Sequence, residues 1–231
     1  MDNANIEKVW PGWKIAGELG EGAFGKVYLI RSEFDGGYVY AAAKVIRMPP
    51  DDAAIREARA GNVSEEALRM YFGKFKIDLS WELAMYKSLA CPALADVDSF
   101  VVRENDENAG WTGYMRSALY TPLKNYYENE PSGAADAERL GRELCAALEK
   151  CESFGVRHGD IKPENVLVTD GGSFVLSDLG VRRCLEKAGS NIFAAPTTPY
   201  DAPELDENRK YTPASDIYSL GMVMRYVANG G

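Results

Sequence analysis

The sequence predicts an α+β chain of two lobes, in which β-strands come first and helices follow. Short runs of β-branched and aromatic residues, separated by glycine-rich turns, dominate residues 1–120. After Asp136, apolar residues recur at helical spacing, and one tight hairpin follows. We therefore expect an antiparallel sheet and a long helix in residues 1–120, and a mainly helical lobe in residues 121–231.

The composition is that of an ordinary globular protein with enough apolar residues for a core. Of 231 residues, 46% are apolar and 26% are charged, with a net charge of −9. No run of five Lys or Arg residues occurs, so we expect no nucleic-acid partner. No apolar run approaches the roughly 18 residues of a transmembrane helix, and the polar N-terminus does not resemble a signal peptide. We expect a cytoplasmic protein without a membrane segment; its oligomeric state does not follow from the sequence.

The cysteines do not form a metal-binding or disulfide pattern. No pair has the C-x-x-C spacing, and His158 is the single histidine. Free thiols in a reducing compartment fit this pattern better than a disulfide framework does. The four residues are Cys91, Cys145, Cys151 and Cys184.

The strand signals of the first lobe are followed by two helix signals. The predicted strands are Trp13–Leu19, Val27–Ile30, Tyr38–Arg47, Ser99–Arg103 and Trp111–Leu119. A short helix is predicted over Asp51–Ala60. Ser64 is an expected N-cap for a longer helix to about Ala90, because Pro92 bars continuation; Gly73 is a possible break.

One helix and one hairpin are predicted in the second lobe. The helix begins near Asp136 and ends at Gly155, and its shared apolar face comprises Leu140, Leu144, Ala147, Leu148 and Cys151. The hairpin joins Val166–Val168 to Phe174–Leu176 through an Asp-Gly-Gly turn.

The glycine-rich segment Gly20–Val27 (GEGAFGKV) can approach a polyphosphate closely, with backbone N–H groups facing the anion. A purely structural glycine-rich hairpin is the alternative. A dinucleotide-binding fingerprint is disfavoured, because a strand follows the glycines where that fold needs a helix.

Two charged residues occupy apolar surroundings. Lys44 lies in a strand among small alanines, and a lysine whose ammonium reaches solvent is the alternative. Glu82 lies on a helical apolar stripe between Leu79 and Tyr86. Because a buried carboxylate needs a cation, Lys44 is the expected partner; a glutamate at the rim of the stripe is the alternative.

The segment His158–Leu167 (HGDIKPENVL) places a carboxylate, an ammonium and an amide within six residues. The Asp160 carboxylate can accept a proton from a hydroxyl nucleophile, Lys162 can neutralise a phosphoryl group, and Asn165 can bind Mg²⁺. A second carboxylate, Asp178, follows the hairpin and can return to the same site. Both motifs in this order and spacing are improbable by chance.

These motifs resemble those of eukaryotic-like serine/threonine protein kinases over nearly the whole chain. The glycine loop, the lysine strand, the helix glutamate, the catalytic loop and the Asp-x-Gly motif occur in family order. Ala202–Glu204 (APE) and Asp216–Gly221 (DIYSLG) complete the set. The spelling of the motifs is similar to that of bacterial serine/threonine kinases. The resemblance implies a bilobal kinase fold, ATP and Mg²⁺ as cofactors, and a protein substrate with Ser or Thr hydroxyls.

The resemblance also assigns roles to the polar residues. Lys44 would hold the α- and β-phosphates and pair with Glu82, Asp160 would be the catalytic base, and Lys162 would contact the γ-phosphate. The implied Mg²⁺ ligands are Asn165 and Asp178. The position of Lys162, with Thr197 as its expected neighbour, is the serine/threonine-type pattern.

The nucleotide pocket is implied by the same resemblance. Leu19, Val27 and Ala42 would cover the adenine from one side and Leu167 from the other. Tyr114–Tyr120 would form the hinge, with Ser117 as gatekeeper and backbone groups of Ala118 and Tyr120 bonding adenine. The remaining implied contacts are Gly20, Glu21, Gly22, Ala23, Phe24, Gly25 and Lys44.

Several features depart from the family pattern. Gly159 replaces an arginine that binds an activation-loop phosphate in relatives, and Leu179 replaces a phenylalanine. His-Gly-Asp also occurs in small-molecule phosphotransferases, which lack the Ala-Pro-Glu segment. The chain ends soon after the central helix that Asp216 should begin, so we expect a truncated kinase with an incomplete C-terminal lobe. A nucleotide-binding scaffold without turnover and a small-molecule phosphotransferase remain alternatives.

Overall fold

The computed structural model of the chain forms two compact units. The first holds residues up to Leu83 together with Val97–Leu119, and the second holds Ala84–Asp96 with the described residues from Tyr120 onward. The described residues are 2–22, 25–48, 56, 59–105, 110–128, 132–179, 198–205 and 211–230. Most of the helix predicted over Asp51–Ala60 lies outside them.

Five antiparallel strands form the sheet of the first unit, in the order β1-β2-β3-β5-β4. They are β1 (Trp13–Gly22), β2 (Gly25–Phe34), β3 (Gly37–Met48), β4 (Val97–Glu104) and β5 (Trp111–Ser117). All five predicted strands are confirmed. Strand β5 ends at Ser117 and not at Leu119, because its partner β4 begins opposite Ser117, at Val97.

Strand β3 presents different residues to the two faces of the sheet. Side chains alternate along a strand, so Ala41 and Ala43 share one face while Ala42 and Lys44 share the other. A helix that was not predicted, α1 (Asp2–Val9), packs with the first face. The buried cluster there comprises Ile6, Trp10, Tyr28, Ile30, Ala41, Ala43 and Tyr114.

The long helix α2 (Glu65–Leu89) begins where the sequence predicts and runs through Gly73 without a break. The Ser64 hydroxyl accepts the N–H of Ala67 at 3.1 Å, which confirms the N-cap. In the first unit, Phe75 stacks on Trp111 with ring centroids 4.9 Å apart. The Trp111 indole donates to the Phe72 carbonyl at 3.0 Å, so its buried N–H is satisfied.

The second unit combines helices with a three-stranded sheet in the order β6-β7-β8. Its elements are β6 (Thr121–Pro122), α3 (Leu123–Tyr126), α4 (Ala134–Ser153), a 3₁₀ turn (Pro163–Asn165), β7 (Val166–Val168), β8 (Phe174–Leu176) and α5 (Pro213–Ala228). The predicted hairpin is confirmed. The five predicted core residues of α4 are all buried.

Helices α4 and α5 approach each other closely at a glycine. A Cβ atom on Gly141 would lie only 2.6 Å from Cε of Met224, so the α5 methionine packs directly over the α4 backbone. Helix α4 also holds the β7–β8 hairpin: the Glu143 carboxylate accepts the N–H of Phe174 at 2.7 Å, and Arg139 donates to the Gly172 carbonyl at 2.6 Å. The hairpin is therefore fixed against a long helix of its own unit.

Helix α5 begins at Pro213, three residues earlier than the prediction that Asp216 begins it. The Thr212 hydroxyl accepts the N–H of Ser215 at 3.1 Å, and the Ser215 hydroxyl accepts the N–H of Thr212 at 2.9 Å. This reciprocal cap, with proline at the first helical position, sets the earlier start. Among the described residues, no helix is both long and apolar enough to cross a membrane.

Candidate active site

The glycine-rich segment forms the closed end of the β1–β2 hairpin. Glu21 pairs with Lys26, and Gly22 pairs with Gly25. Gly25 has φ of +143°, and a Cβ atom there would lie 2.0 Å from the carbonyl oxygen of Val45. No residue with a side chain fits this approach of the hairpin to β3. Ala23 and Phe24, which come between these glycines in the sequence, lie outside the described residues.

Three of the implied nucleotide contacts share one face of the sheet. Val27 in β2 pairs with Lys44, and Ala42 in β3 pairs with Ser117 at the end of β5. Lys44 and Ala42 are two residues apart, so both side chains lie on the face opposite the α1 cluster. Leu19 and Gly20 lie on β1, and the Leu19 side chain is exposed.

Helix α2 packs on the same side of β3 as Lys44. At Gly113, a Cβ atom would contact Leu79 of α2 at 3.7 Å and Ile46 of β3 at 3.9 Å. Ile46 is two residues after Lys44 in the strand, and Glu82 is three residues after Leu79 in the helix. Both charged side chains are half-buried beside this contact, so the packing brings their elements together.

The implied hinge, Tyr114–Tyr120, comprises the end of β5 and the residues that follow it. The Ser117 hydroxyl donates to the Ala118 carbonyl at 3.0 Å, and Ala118 is exposed. In the second unit, the Tyr120 hydroxyl accepts the N–H of Asp96 at 2.9 Å, which anchors the last residue of the implied hinge. Leu167, also in the second unit, lies on β7 between Pro122 and Val175.

The residues of the predicted catalytic loop, in the second unit, converge on one buried carboxylate. The ammonium of Lys162 lies 2.8 Å from Oδ2 of Asp160. The Asn165 amide donates to that same oxygen and to the Asp160 carbonyl, each at 2.7 Å. Asp160 is 3% exposed. A buried carboxylate with charge-assisted partners has a fixed position, as proton transfer requires.

Asp216 of α5 holds the backbone that leads into this loop. One carboxylate oxygen accepts the N–H of His158 and the other accepts the N–H of Gly159, both at 2.9 Å. Asp216 is buried, so each oxygen satisfies a donor that water cannot reach. The loop before Asp160 is therefore tied to the first turn of α5.

The imidazole of His158 is fully buried and connects the backbone of Asp160 to that of Ser177, which follows β8. Its Nε2 lies 2.9 Å from the Ser177 carbonyl, and its Nδ1 accepts the N–H of Asp160 at 3.3 Å. This pattern requires the neutral tautomer protonated on Nε2. Burial lowers the pKa of His158, against the opposing effect of Asp216, Asp160 and Asp178.

Asp178 directly follows Ser177, the residue whose carbonyl contacts the His158 imidazole. The Ser177 N–H donates to the Asn165 carbonyl at 2.9 Å, which joins the segment after β8 to the residue that ends the 3₁₀ turn. Asp178 has φ of +62°, a left-handed conformation that side-chain-bearing residues adopt at a cost and that is concentrated at functional sites. Leu179, which replaces the phenylalanine of the family pattern, is buried. Gly180 lies outside the described residues.

The donors available to a magnesium ion are oxygens. Both hydrogen bonds of the Asn165 amide use its nitrogen, and this orientation leaves its oxygen as a potential ligand. The Asp178 carboxylate is the second oxygen donor. Mg²⁺ typically takes one or two such protein ligands, with phosphate oxygens and waters completing its shell. The residues present therefore fit this ion.

Gly159 cannot be replaced by a larger residue without displacing Tyr211. It has φ of +76°, and a Cβ atom there would lie 3.1 Å from the Tyr211 ring. Tyr211 itself was not predicted to matter. Thr197, the expected neighbour of Lys162, lies outside the described residues. So do Ser190, a candidate phosphorylation site by sequence, and Arg182 and Arg183, which are candidate receivers of a phosphate on this segment.

The sequence analysis did not predict the supporting roles of three residues. Asp216 binds the backbone of His158 and Gly159, His158 connects Asp160 to Ser177, and the Tyr211 ring lies against Gly159. The single histidine directly before the Gly-Asp pair was a usable signal, because a buried imidazole needs two partners. For Asp216, a carboxylate within an apolar helix was a comparable signal.

Comparisons with known proteins agree with these observations. A family model described as the protein kinase domain matches residues 13–231. Serine/threonine-protein kinase PknK of Mycobacterium bovis is 40% identical over 39% of this chain and 8% of its own length. Serine/threonine-protein kinase 36 of Mus musculus is 28% identical over 92% of this chain and 14% of its own length. CBL-interacting protein kinase 17 of Oryza sativa is 29% identical over 97% of this chain and 45% of its own length. The chain thus spans less than half the length of each of these relatives.

Proposed function

Because this chain belongs to the protein kinase family, we propose that it transfers the γ-phosphoryl group of ATP to serine or threonine hydroxyls of proteins. The observation that carries the proposal is the cluster in which Lys162 and Asn165 both contact Oδ2 of Asp160. A carboxylate held by two donors on a rigid loop suits a proton acceptor for a substrate hydroxyl.

In the proposed reaction, the substrate hydroxyl oxygen forms a bond to the γ-phosphorus as the bond from that phosphorus to the β–γ bridging oxygen breaks. The hydroxyl proton passes to the Asp160 carboxylate, and ADP leaves. Lys162 neutralises negative charge on the transferring group, and its contact with Asp160 keeps base and cation in one place.

ATP and Mg²⁺ are the proposed cofactors. Asn165 and Asp178 would bind the ion, which neutralises phosphate charge during transfer. Lys44 would bind the α- and β-phosphates and form an ion pair with Glu82. This pair is supported by the approach of Leu79 and Ile46 to the same side of Gly113, since Leu79 is close in sequence to Glu82 and Ile46 to Lys44. The nucleotide base would contact Leu19, Val27, Ala42 and Leu167, with the hinge at Ser117, Ala118 and Tyr120.

Serine/threonine selectivity is proposed from the position of Lys162, two residues after the base. We also propose a cytoplasmic location, which is supported by the free thiols of Cys91 and Cys145. By chain position, the N-terminal lobe would comprise residues 1–120 and the C-terminal lobe residues 121–231.

The test is a phosphoryl-transfer assay with labelled ATP, Mg²⁺ and a generic basic protein, followed by identification of the labelled amino acid. Label on serine or threonine, lost in Asp160→Asn, is the expected result. Binding of MgATP without transfer by the wild type would favour the nucleotide-binding scaffold. Label on phosphotyrosine alone would contradict the proposed selectivity.

A further inference from the structure

Helix α1 lies outside the region matched by the kinase family model, which begins at Trp13. It is nevertheless part of the core of the first unit. Ile6 is fully buried, Trp10 directly after the helix is 6% exposed, and both belong to the cluster on the back face of the sheet. A loosely attached leader would not bury its two largest apolar side chains in this way.

Polar contacts fix the end of α1 at a defined place on the sheet. The Trp10 indole donates to the Ser99 hydroxyl in β4 at 2.9 Å. Arg103, farther along β4, donates to the Lys8 carbonyl at 2.8 Å, so a terminal carbonyl of the helix is satisfied. The two bonds hold the helix to one strand at two points, which specifies its register.

A cation between two indoles extends this attachment to β5 and β1. The guanidinium of Arg116 lies 5.4 Å from the Trp10 ring and 4.7 Å from the Trp13 ring. The same guanidinium forms an ion pair with Asp98 at 3.0 Å. Contacts with two aromatic faces and a carboxylate at the same time suit an arginine guanidinium in particular.

The cluster reaches the strand that carries Lys44. Ala43 is fully buried in it and lies next to Lys44 in β3; across the ladder, Ala43 pairs with Arg116 and Lys44 pairs with Met115. Alanine methyl groups alone cover little of a strand. The large apolar surface on this face comes from Ile6, Trp10 and the aromatic residues around them.

We propose that α1 positions β3, with Ile6 and Trp10 as positioning residues that hold Lys44 in register for nucleotide binding. The effect of α1 on nucleotide binding rests on the proposed function, whereas its effect on the order of β3 does not. Loss of the Trp10 ring would leave the back of β3 under-packed, so the strand would fluctuate more and bind the phosphates less well.

The test compares Trp10→Ala with the wild type in two measurements on the whole chain. One is the Kd for MgATP, and the other is hydrogen exchange of β3 amides without nucleotide. We expect Trp10→Ala to raise the Kd by about fivefold or more and to accelerate exchange in β3. Trp10→Phe keeps an aromatic ring, so its Kd for MgATP and its β3 exchange rates should lie close to those of the wild type.

Two controls separate positioning from general stability. Trp81→Ala removes an equally large side chain that is 68% exposed on α2 of the same unit, and Leu140→Ala opens a cavity in the core of the second unit. Neither should change β3 exchange or the Kd. If Trp10→Ala does not fold, Arg103→Ala loosens the attachment of α1 without a cavity and should show the same two effects in smaller degree.

The outcomes are distinct. The inference would be overturned if Trp10→Ala showed the β3 hydrogen exchange and the Kd for MgATP of the wild type. It would also be overturned if Leu140→Ala changed both quantities as much as Trp10→Ala does. If the wild type binds no MgATP, the proposed function fails, and β3 exchange alone then decides whether α1 positions the strand.

Discussion

The ring of Tyr211 lies against the α-carbon of Gly159, where a Cβ atom would come within 3.1 Å of Cδ1 of the tyrosine. Gly159 also has φ of +76°. Two independent constraints, the backbone conformation and the neighbouring ring, therefore require glycine directly before Asp160.

We predict that Gly159→Ala lowers both kcat and the free energy of unfolding. The left-handed backbone conformation costs a side-chain-bearing residue about 1–2 kcal/mol, and displacement of the Tyr211 ring adds to this. Gly36→Ala is the matched control, because Gly36 has φ of +75° and a Cβ atom there would meet no other atom within 4 Å. Denaturant unfolding and steady-state kinetics give both quantities. Equal stability losses in the two variants would argue against a role for Tyr211.

Activity should not require phosphorylation of the segment between Asp178 and Glu204. In the kinases that the chain resembles, an arginine at the position of Gly159 receives the phosphate, and here the Tyr211 ring covers that position. Phosphatase treatment should leave the transfer rate unchanged, and Ser190→Ala should behave like the wild type. A large loss of rate in either experiment would show that a phosphorylation site controls the proposed transfer.

Asp216→Asn should reduce kcat with little change in the KM for ATP. The carboxylate accepts N–H groups from His158 and Gly159, whereas an amide has one acceptor oxygen and leaves one buried donor unsatisfied. That costs about 1–3 kcal/mol and loosens the loop that carries Asp160. Asp136→Asn, at the half-exposed start of α4, changes the same chemical group at a helix cap. A loss of kcat no larger than that of this control would contradict the anchoring role.

The free energy of unfolding should fall as the pH drops below the ordinary histidine value. Burial lowers the pKa of His158 in the folded chain, so the unfolded chain binds the proton more readily. The contribution of the neutral His158 to the free energy of unfolding is complete above a pH of about 6.5. Below this pH the contribution falls by about 1.4 kcal/mol per pH unit. Because His158 is the single histidine, His158→Gln should remove this slope. An unchanged slope in that variant, measured by denaturant unfolding from about pH 7.5 to 5.5, would be the contrary result.

Asp178→Ala should abolish the Mg²⁺-dependent part of ATP binding, because it removes the carboxylate proposed to hold the ion. Thermal shifts with ATP, with and without Mg²⁺, measure this part directly. Asp170→Ala removes an exposed carboxylate from the nearby hairpin turn and should leave the shifts unchanged. Equal MgATP shifts for Asp178→Ala and the wild type would refute the assignment of the metal ligand.

Much of the fold and site was predictable because its signals are local. The strands of the first unit follow from β-branched runs between glycine turns, and the buried face of α4 follows from helical spacing around Leu140 and Leu144. Asp160, Lys162 and Asn165 lie within six residues, so their convergence also follows from a short segment. Helix α1 was missed because two anchors, Ile6 and Trp10, form too short a periodic pattern to recognise.

By itself, the sequence determined the order of the elements and the residues proposed for phosphoryl transfer. That only glycine fits at position 25 was decided by the tertiary structure, because the obstacle is the Val45 carbonyl of β3. Tertiary structure also decided which distant groups support the residues proposed for transfer. Asp216 binds the backbone of His158 across 58 residues of chain, and Trp10 bonds Ser99 across 89. The physical reason is that local spacing restricts backbone conformation and the burial of a face, whereas a hydrogen bond between distant segments exists only after the core has brought them together.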